Sequence, residues 1–140
     1  MITRTGMAKW KGGLKDGNGT VATASGALRD LPYGFNTRFE DKAGTNPEEL
    51  VGAAHASCFS MALAMMLEQD GIQNVTIDTR SAITLDQDGE GFAVKTAHLT
   101  THIKADADED KIRAIAKQAK AGCPISKLLN AEVTLDVSVA

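Results

Sequence analysis

Residues Ala53 to Leu67 read AAHASCFSMALAMML, a run of small and apolar side chains with a histidine and a cysteine three residues apart. The residues before it, GTNPEEL, form a helix start. Asn46 is placed to cap, Pro47 suits the first helical position, and Glu48 and Glu49 sit in the positively polarised first turn. The helix is expected to reach about Asp70 and to end at Gly71. Its apolar residues surround the whole circumference, so protein must cover it on every side. In a chain of 140 residues with one such helix, a second copy of the chain is the simplest cover. Glu48, Glu49, Glu68 and Asp70 bracket the apolar window, which marks a buried helix more than a membrane span.

The flanks supply strands. GMAKWKGGL alternates, KDGNG turns and GTVATASG returns, so a hairpin is expected over the first 25 residues. LRDLPYGFNTRFED reads as an irregular connection with a short strand near Phe35 to Phe39. After the long helix, VTIDTRSAITLD puts Val75, Ile77, Ile83 and Leu85 on one parity. FAVKTAHLTTHIK returns with mixed parity, as a bulged or doubly covered strand does. DADEDKIRAIAKQAKAG is a second amphipathic helix with Ile112, Ile115, Ala116 and Ala119 inward, capped by aspartates and ended by Gly122. CPISKLLN adds a short helical turn beginning at Pro124, and AEVTLDVSV alternates as a closing strand. The order β-β-(β)-α-β-β-α-β is an α+β plan, and no linker or repeat divides it, so residues 1–140 are expected to form a single domain.

Composition excludes several function classes. A net charge of −3 with 24% charged residues gives no basic stripe for nucleic acid or an anionic membrane. No signal-like start is present, since Lys9, Trp10, Lys11 and Gly12 interrupt the opening, and a cytoplasmic location is expected. There a structural disulfide is unusual, so the two cysteines are either inert or reactive.

Cys58 admits three readings: a small core residue, a metal ligand with His55, or a working thiolate. A metal site fails on spacing. His98 and His102 are four residues apart on a strand, roughly 13 Å, and no CxxC or HxxxH completes a zinc set. His55 is better read as a polar group satisfied inside a helix bundle. DADED imitates a calcium loop, but Lys111 and Lys117 stand where glycine and glutamate are required. A cysteine hydrolase needs an oxyanion donor that no motif provides.

A redox role has its own requirements. Cys58 lies deep in its helix, where the macrodipole helps little and burial raises a thiol pKa, so a cation must stand beside it. Arg38 in FNTRF is the nearest arginine in sequence, and Glu48 or Glu49 can grip its guanidinium in a fork. Cys123, between Gly122 and Pro124, takes an N-cap-like position that favours thiolate and an exposed, mobile backbone. These are the parts of a two-cysteine peroxidase. Two inert core cysteines fit the spacing equally well.

PYGFNTRFE, GTNPEELVGAAHASCFSMALAMML and KAGCPISKLLNAEVTLD resemble the signature segments of the osmotically inducible protein C (OsmC) family, relatives of the organic hydroperoxide resistance proteins. The matching segments run from about Trp10 to Asp136. The resemblance implies that Cys58 is the peroxidatic cysteine, Cys123 the resolving cysteine that forms a disulfide with it, and Arg38 with Glu48 the activating pair. It implies an intertwined homodimer with long central helices wrapped by antiparallel sheets, and a thiol-dependent peroxidase without metal, haem or flavin. An organic hydroperoxide is the expected substrate, its alkyl part against Phe39, Phe59, Met61 and Met65, and an external dithiol is the expected reductant. The rival from another class is a non-enzymatic stress or binding protein with structural cysteines.

Overall fold

The computed structural model describes Met1–Ala140, and the chain divides into two compact units, Met1–Leu50 and Val51–Ala140. The first unit holds strands β1 (Gly6–Lys11), β2 (Asn18–Thr23) and β3 (Leu31–Tyr33) in an antiparallel sheet of order β1-β2-β3. The expected hairpin is there, with Met7 opposite Ala22 and Trp10 opposite Gly19. Pro32 lacks an N–H, and accordingly β3 lies at the sheet edge.

The strand expected near Phe35 to Phe39 is instead helix α1 (Phe35–Phe39), and the short strand is β3, upstream of it. Gly34 explains the switch. Its extended backbone separates the two elements, its N–H donates to Thr37 Oγ1 at 2.9 Å, and the Thr37 hydroxyl donates back to Gly34 O at 3.0 Å. That exchange closes the first turn of α1 by local bonds. Asn46 caps helix α2 (Pro47–Gln69) as expected: its Oδ1 accepts the Glu49 N–H at 2.8 Å. Gly71, with φ of 73°, stops that helix in a conformation that L side chains resist.

The second unit contains most of α2, the hairpin of β4 (Thr76–Asp88) and β5 (Gly91–Lys104), helices α3 (Glu109–Gly122) and α4 (Pro124–Leu128), and β6 (Glu132–Val139). Its sheet order is β4-β5-β6, and the expected bulge falls between Thr84 and Leu85. The expectation of wholly antiparallel sheets fails at one pairing, because β6 runs parallel to β5. The crossover through α3 and α4 brings the chain back to the end at which β5 began, so parallel pairing follows.

Phe59, Leu63, Leu67, Leu99, Ile103 and Ile112 are fully buried in one cluster, joined by Ala116, Ala119 and Cys123. Each large side chain here contributes roughly 1.5–3 kcal/mol through lost apolar exposure. The four inward positions expected of α3 are its buried ones. Asp108 occupies the N-cap position of α3 but makes no side-chain cap bond, so the first turn relies on Glu109 and Asp110.

The long helix is covered along one stripe only. Gly52, His55, Phe59, Leu63 and Leu67 are buried, whereas Met61 and Met65 on the opposite side are 75% and 50% exposed. By length and apolarity α2 could cross a membrane, yet its buried stripe packs in protein and includes a histidine.

Candidate active site

Arg38 stands in α1 and Glu48 in the first turn of α2. The guanidinium meets the carboxylate as a fork: Nη2 donates to Oε1 at 2.7 Å, and Nε donates to Oε1 at 3.0 Å and to Oε2 at 3.1 Å. Of the two glutamates expected to grip Arg38, Glu48 does so. The fork fixes the plane of the guanidinium, which a single contact would leave free to rotate. Glu48 is well covered, with a side chain 15% exposed against 35% for Arg38. The Arg38 guanidinium also lies 5.2 Å from the centre of the Phe39 ring, and the Phe35 ring packs on Phe39 at a tilt of 42° with centroids 4.9 Å apart. Trp10, Leu14, Tyr33, Phe35, Arg38 and Phe39 line a cavity of about 300 Å³ beside this pair. One cation at the edge of an aromatic pocket suits a ligand with an apolar body and a polar or anionic end.

Cys58 is half-buried on α2 and Cys123 is fully buried at the junction of α3 and α4. The expected order of exposure is therefore reversed. Cys123 does hold the N-cap position of α4, but its N–H is bonded to Ala119 O at 2.9 Å and its side chain joins the core, so the backbone there is fixed. Its burial depends on α3 packing into the unit, which flanking glycine and proline do not reveal.

The Cys58 sulfur lies beside the Cys123 thiol and the backbone N–H of Ile125, near enough for both to act on its acidity. Neither cysteine is in a disulfide. Burial pushes the Cys58 thiol above its ordinary pKa, the Ile125 N–H opposes this, and the neighbouring Cys123 adds to the rise. Ile125 is a contributor that the sequence reading missed. Its only signal there was its place two residues beyond an N-cap, where an N–H has no partner within the helix.

His55 is fully buried, with both ring nitrogens satisfied: Nδ1 lies 2.8 Å from Ser81 Oγ and Nε2 2.8 Å from Ser126 Oγ. Its satisfied role is as expected, but the partners come from β4 and α4 and not from a helix bundle. Burial lowers its pKa, so the neutral imidazole is favoured. His98 and His102 bond across the sheet to Thr134, Asp136 and Ser138. Phe59, expected to line the substrate site, is instead a fully buried core residue, because its position falls on the covered stripe of α2.

Residues 39–138 match the family described as OsmC-like protein. The chain is 50% identical over 136 residues to peroxiredoxin OsmC of Escherichia coli (strain K12), covering 96% of this chain and 95% of that protein. It is 27% identical over 124 residues to organic hydroperoxide resistance protein-like 1 of Staphylococcus saprophyticus, covering 88% of this chain and 87% of that protein. Its fold is similar to the crystal structure of the organic hydroperoxide resistance protein OhrB of Bacillus subtilis. That match has a TM-score of 0.71 and 26% identity, and covers 96% of this chain and 98% of the other. With a family match over most of its length and a half-identical relative across nearly all of it, this chain belongs to the OsmC-like protein family.

Proposed function

We propose that this protein is a thiol-dependent peroxidase that reduces organic hydroperoxides, and hydrogen peroxide less well, in defence against oxidative and osmotic stress. The family membership supports the activity. The juxtaposition of Cys58 and Cys123, with the Ile125 N–H beside the Cys58 sulfur, is the observation that supports the mechanism best. Cys58 thiolate attacks the distal oxygen of the hydroperoxide, the O–O bond breaks, and the alkoxide leaves and takes a proton as alcohol. Cys58 becomes a sulfenic acid. Cys123 then attacks its sulfur, water departs, and a Cys58–Cys123 disulfide forms. An external dithiol reduces that bond by two successive exchanges and is itself oxidised to a disulfide. No metal or other cofactor enters the cycle.

Arg38, held in direction by Glu48, supplies the cation that Cys58 needs and stabilises charge on the departing oxygen. Phe39, Met61 and Met65 provide apolar contact for the alkyl group. Phe39 already stacks on the arginine.

The working form is proposed to be a soluble, cytoplasmic homodimer in which residues 1–140 act as one domain. Helix α2 continues unbroken from Pro47 to Gln69, so Glu48 and Cys58 are separated by roughly 15 Å of helix rise. Two α2 helices packed antiparallel, with Glu48 of one beside Cys58 of the other, would build each site from both subunits. The same packing covers the bare side of α2.

The test is consumption of cumene hydroperoxide and of hydrogen peroxide with dithiothreitol as reductant. Turnover faster with the organic peroxide is expected. A wild-type protein that consumes neither peroxide is no peroxidase.

A further inference from the structure

The histidine between Ser81 and Ser126 has no part in the cycle above, yet it touches the element that carries most of the chemistry. His55 is one turn before Cys58 on α2. Its Nε2 reaches Ser126 Oγ at 2.8 Å, and Ser126 is the residue after Ile125, in the short helix that begins at Cys123. A single turn of α4 thus presents three groups to α2: the Cys123 thiol and the Ile125 N–H to Cys58, and the Ser126 hydroxyl to His55.

A five-residue helix has little stability of its own, and α4 has no fully buried residue to anchor it. The other ties of α4 are backbone bonds within its own turn (Lys127 N–H to Cys123 O and Leu129 N–H to Ile125 O, both 3.1 Å), the Cys123 N–H on Ala119 O, and the packing of Cys123 and Ile125 against the core. The His55–Ser126 bond instead crosses from α4 to α2, and the imidazole is anchored on its other side by Ser81 of β4. Because the ring is buried and each nitrogen has a hydroxyl partner, losing Ser126 leaves Nε2 without one.

We propose that His55 is a positioning residue that, through Ser126, holds the first turn of α4 against α2 so that Cys123 and the Ile125 N–H meet Cys58. The inference rests on the peroxidase reading for its importance to turnover, but not for its test. The hydroxyl-to-imidazole bond sets the effective concentration of Cys123 at Cys58, and therefore how fast the sulfenic acid is resolved before further oxidation. Ser81 holds the ring to the sheet and has no path to α4 except through it.

The experiment equilibrates the full-length wild type and the variants Ser126→Ala, Ser126→Thr, His55→Gln and Ser81→Ala with glutathione buffers of graded ratio. It reads the fraction of Cys58–Cys123 disulfide. Ser126→Ala and His55→Gln are expected to lower the effective concentration by about tenfold or more, with Ser126→Thr restoring it and Ser81→Ala staying within about twofold of wild type. In a Cys123→Ser background, Ser126→Ala is also expected to move the Cys58 thiolate titration to higher pH, because the Ile125 N–H no longer supports the anion. Thermal melts identify any variant that does not fold, and His55→Gln and Ser126→Ala each suffice alone. Wild-type values in both variants overturn the proposal, and so does an equal fall in Ser81→Ala, which would mark general loosening. Failure of the wild type to consume cumene hydroperoxide removes the peroxidase reading and leaves the glutathione result to decide this one.

Discussion

The Arg38 guanidinium closes a fork on the Glu48 carboxylate across a gap of ten residues in sequence, with Nη2 to Oε1 at 2.7 Å. Two of its three nitrogens face the glutamate, and the Nη1 edge is left for another acceptor. Glu48→Gln keeps the shape and removes the charge. Its peroxidase rate is expected to fall on the order of tenfold, matching the loss of a charge-assisted hydrogen bond of about 1.5 kcal/mol. Arg38→Met should lose more and raise the Cys58 titration midpoint by about one unit, equal to about 1.4 kcal/mol. Thiolate absorbance in a Cys123→Ser background measures the shift, and an unmoved curve shows that some other group activates Cys58.

Separate roles for the cysteines predict unequal phenotypes. Cys58→Ser should abolish peroxide reduction and leave the circular dichroism spectrum unchanged. Cys123→Ser should consume about one equivalent of cumene hydroperoxide per subunit and stop with a sulfenic acid that dimedone traps. A Cys58→Ser variant as active as the wild type rules out Cys58 as the nucleophile.

Composite sites can be tested by complementation. In a mixed dimer of Cys58→Ser and Glu48→Ala subunits, antiparallel packing puts both lesions in one site and leaves the other intact. Up to about half of the wild-type activity is then expected from co-expressed, tag-selected mixed dimers. Mixed dimers as inactive as both parents place Glu48 and Cys58 in a single-chain site.

Gly52 carries a purely structural prediction. A Cβ at this position would lie 2.7 Å from the Ser81 carbonyl oxygen, a backbone atom that moves only with β4. Gly52→Ala should therefore destabilise the fold by about 1–3 kcal/mol despite the better helix propensity of alanine. Urea titration measures the difference, and a stabilised variant contradicts the close approach of α2 to β4.

His55 should shape the acid limb of stability. Burial holds its folded-state pKa below the usual 6.5. Between the two values the unfolded chain takes up a proton that the folded chain refuses, so stability falls as pH drops below about 6.5. The stability advantage of wild type over His55→Gln should shrink from pH 7 to pH 5 in denaturant titrations. A constant difference would mean that His55 is not held neutral.

Local rules made much of this molecule legible in its sequence. Asn46, Pro47 and Gly71 mark the ends of α2 because capping and left-handed backbone are properties of a few adjacent residues. The inward set Ile112, Ile115, Ala116 and Ala119 follows from helical period alone, and the parity of Val75, Ile77, Ile83 and Leu85 from the pleat. The family resemblance singled out Arg38, Glu48, Cys58 and Cys123; the first two are hydrogen-bonded and the two cysteines are neighbours.

Tertiary structure decided the rest. FNTRF is five residues long, too short for either period to dominate, and the Gly34–Thr37 exchange tipped it into a helix. Cys123 is buried because α3 and α4 pack over it, and β6 is parallel because the crossover returns it to the start of β5. His55 finds Ser81 and Ser126 at separations of 26 and 71 residues, and no local pattern pairs groups so far apart. Capping and periodicity act through neighbouring backbone, so a sequence displays them. Burial, strand direction and long-range hydrogen bonds are settled only when the chain closes on itself.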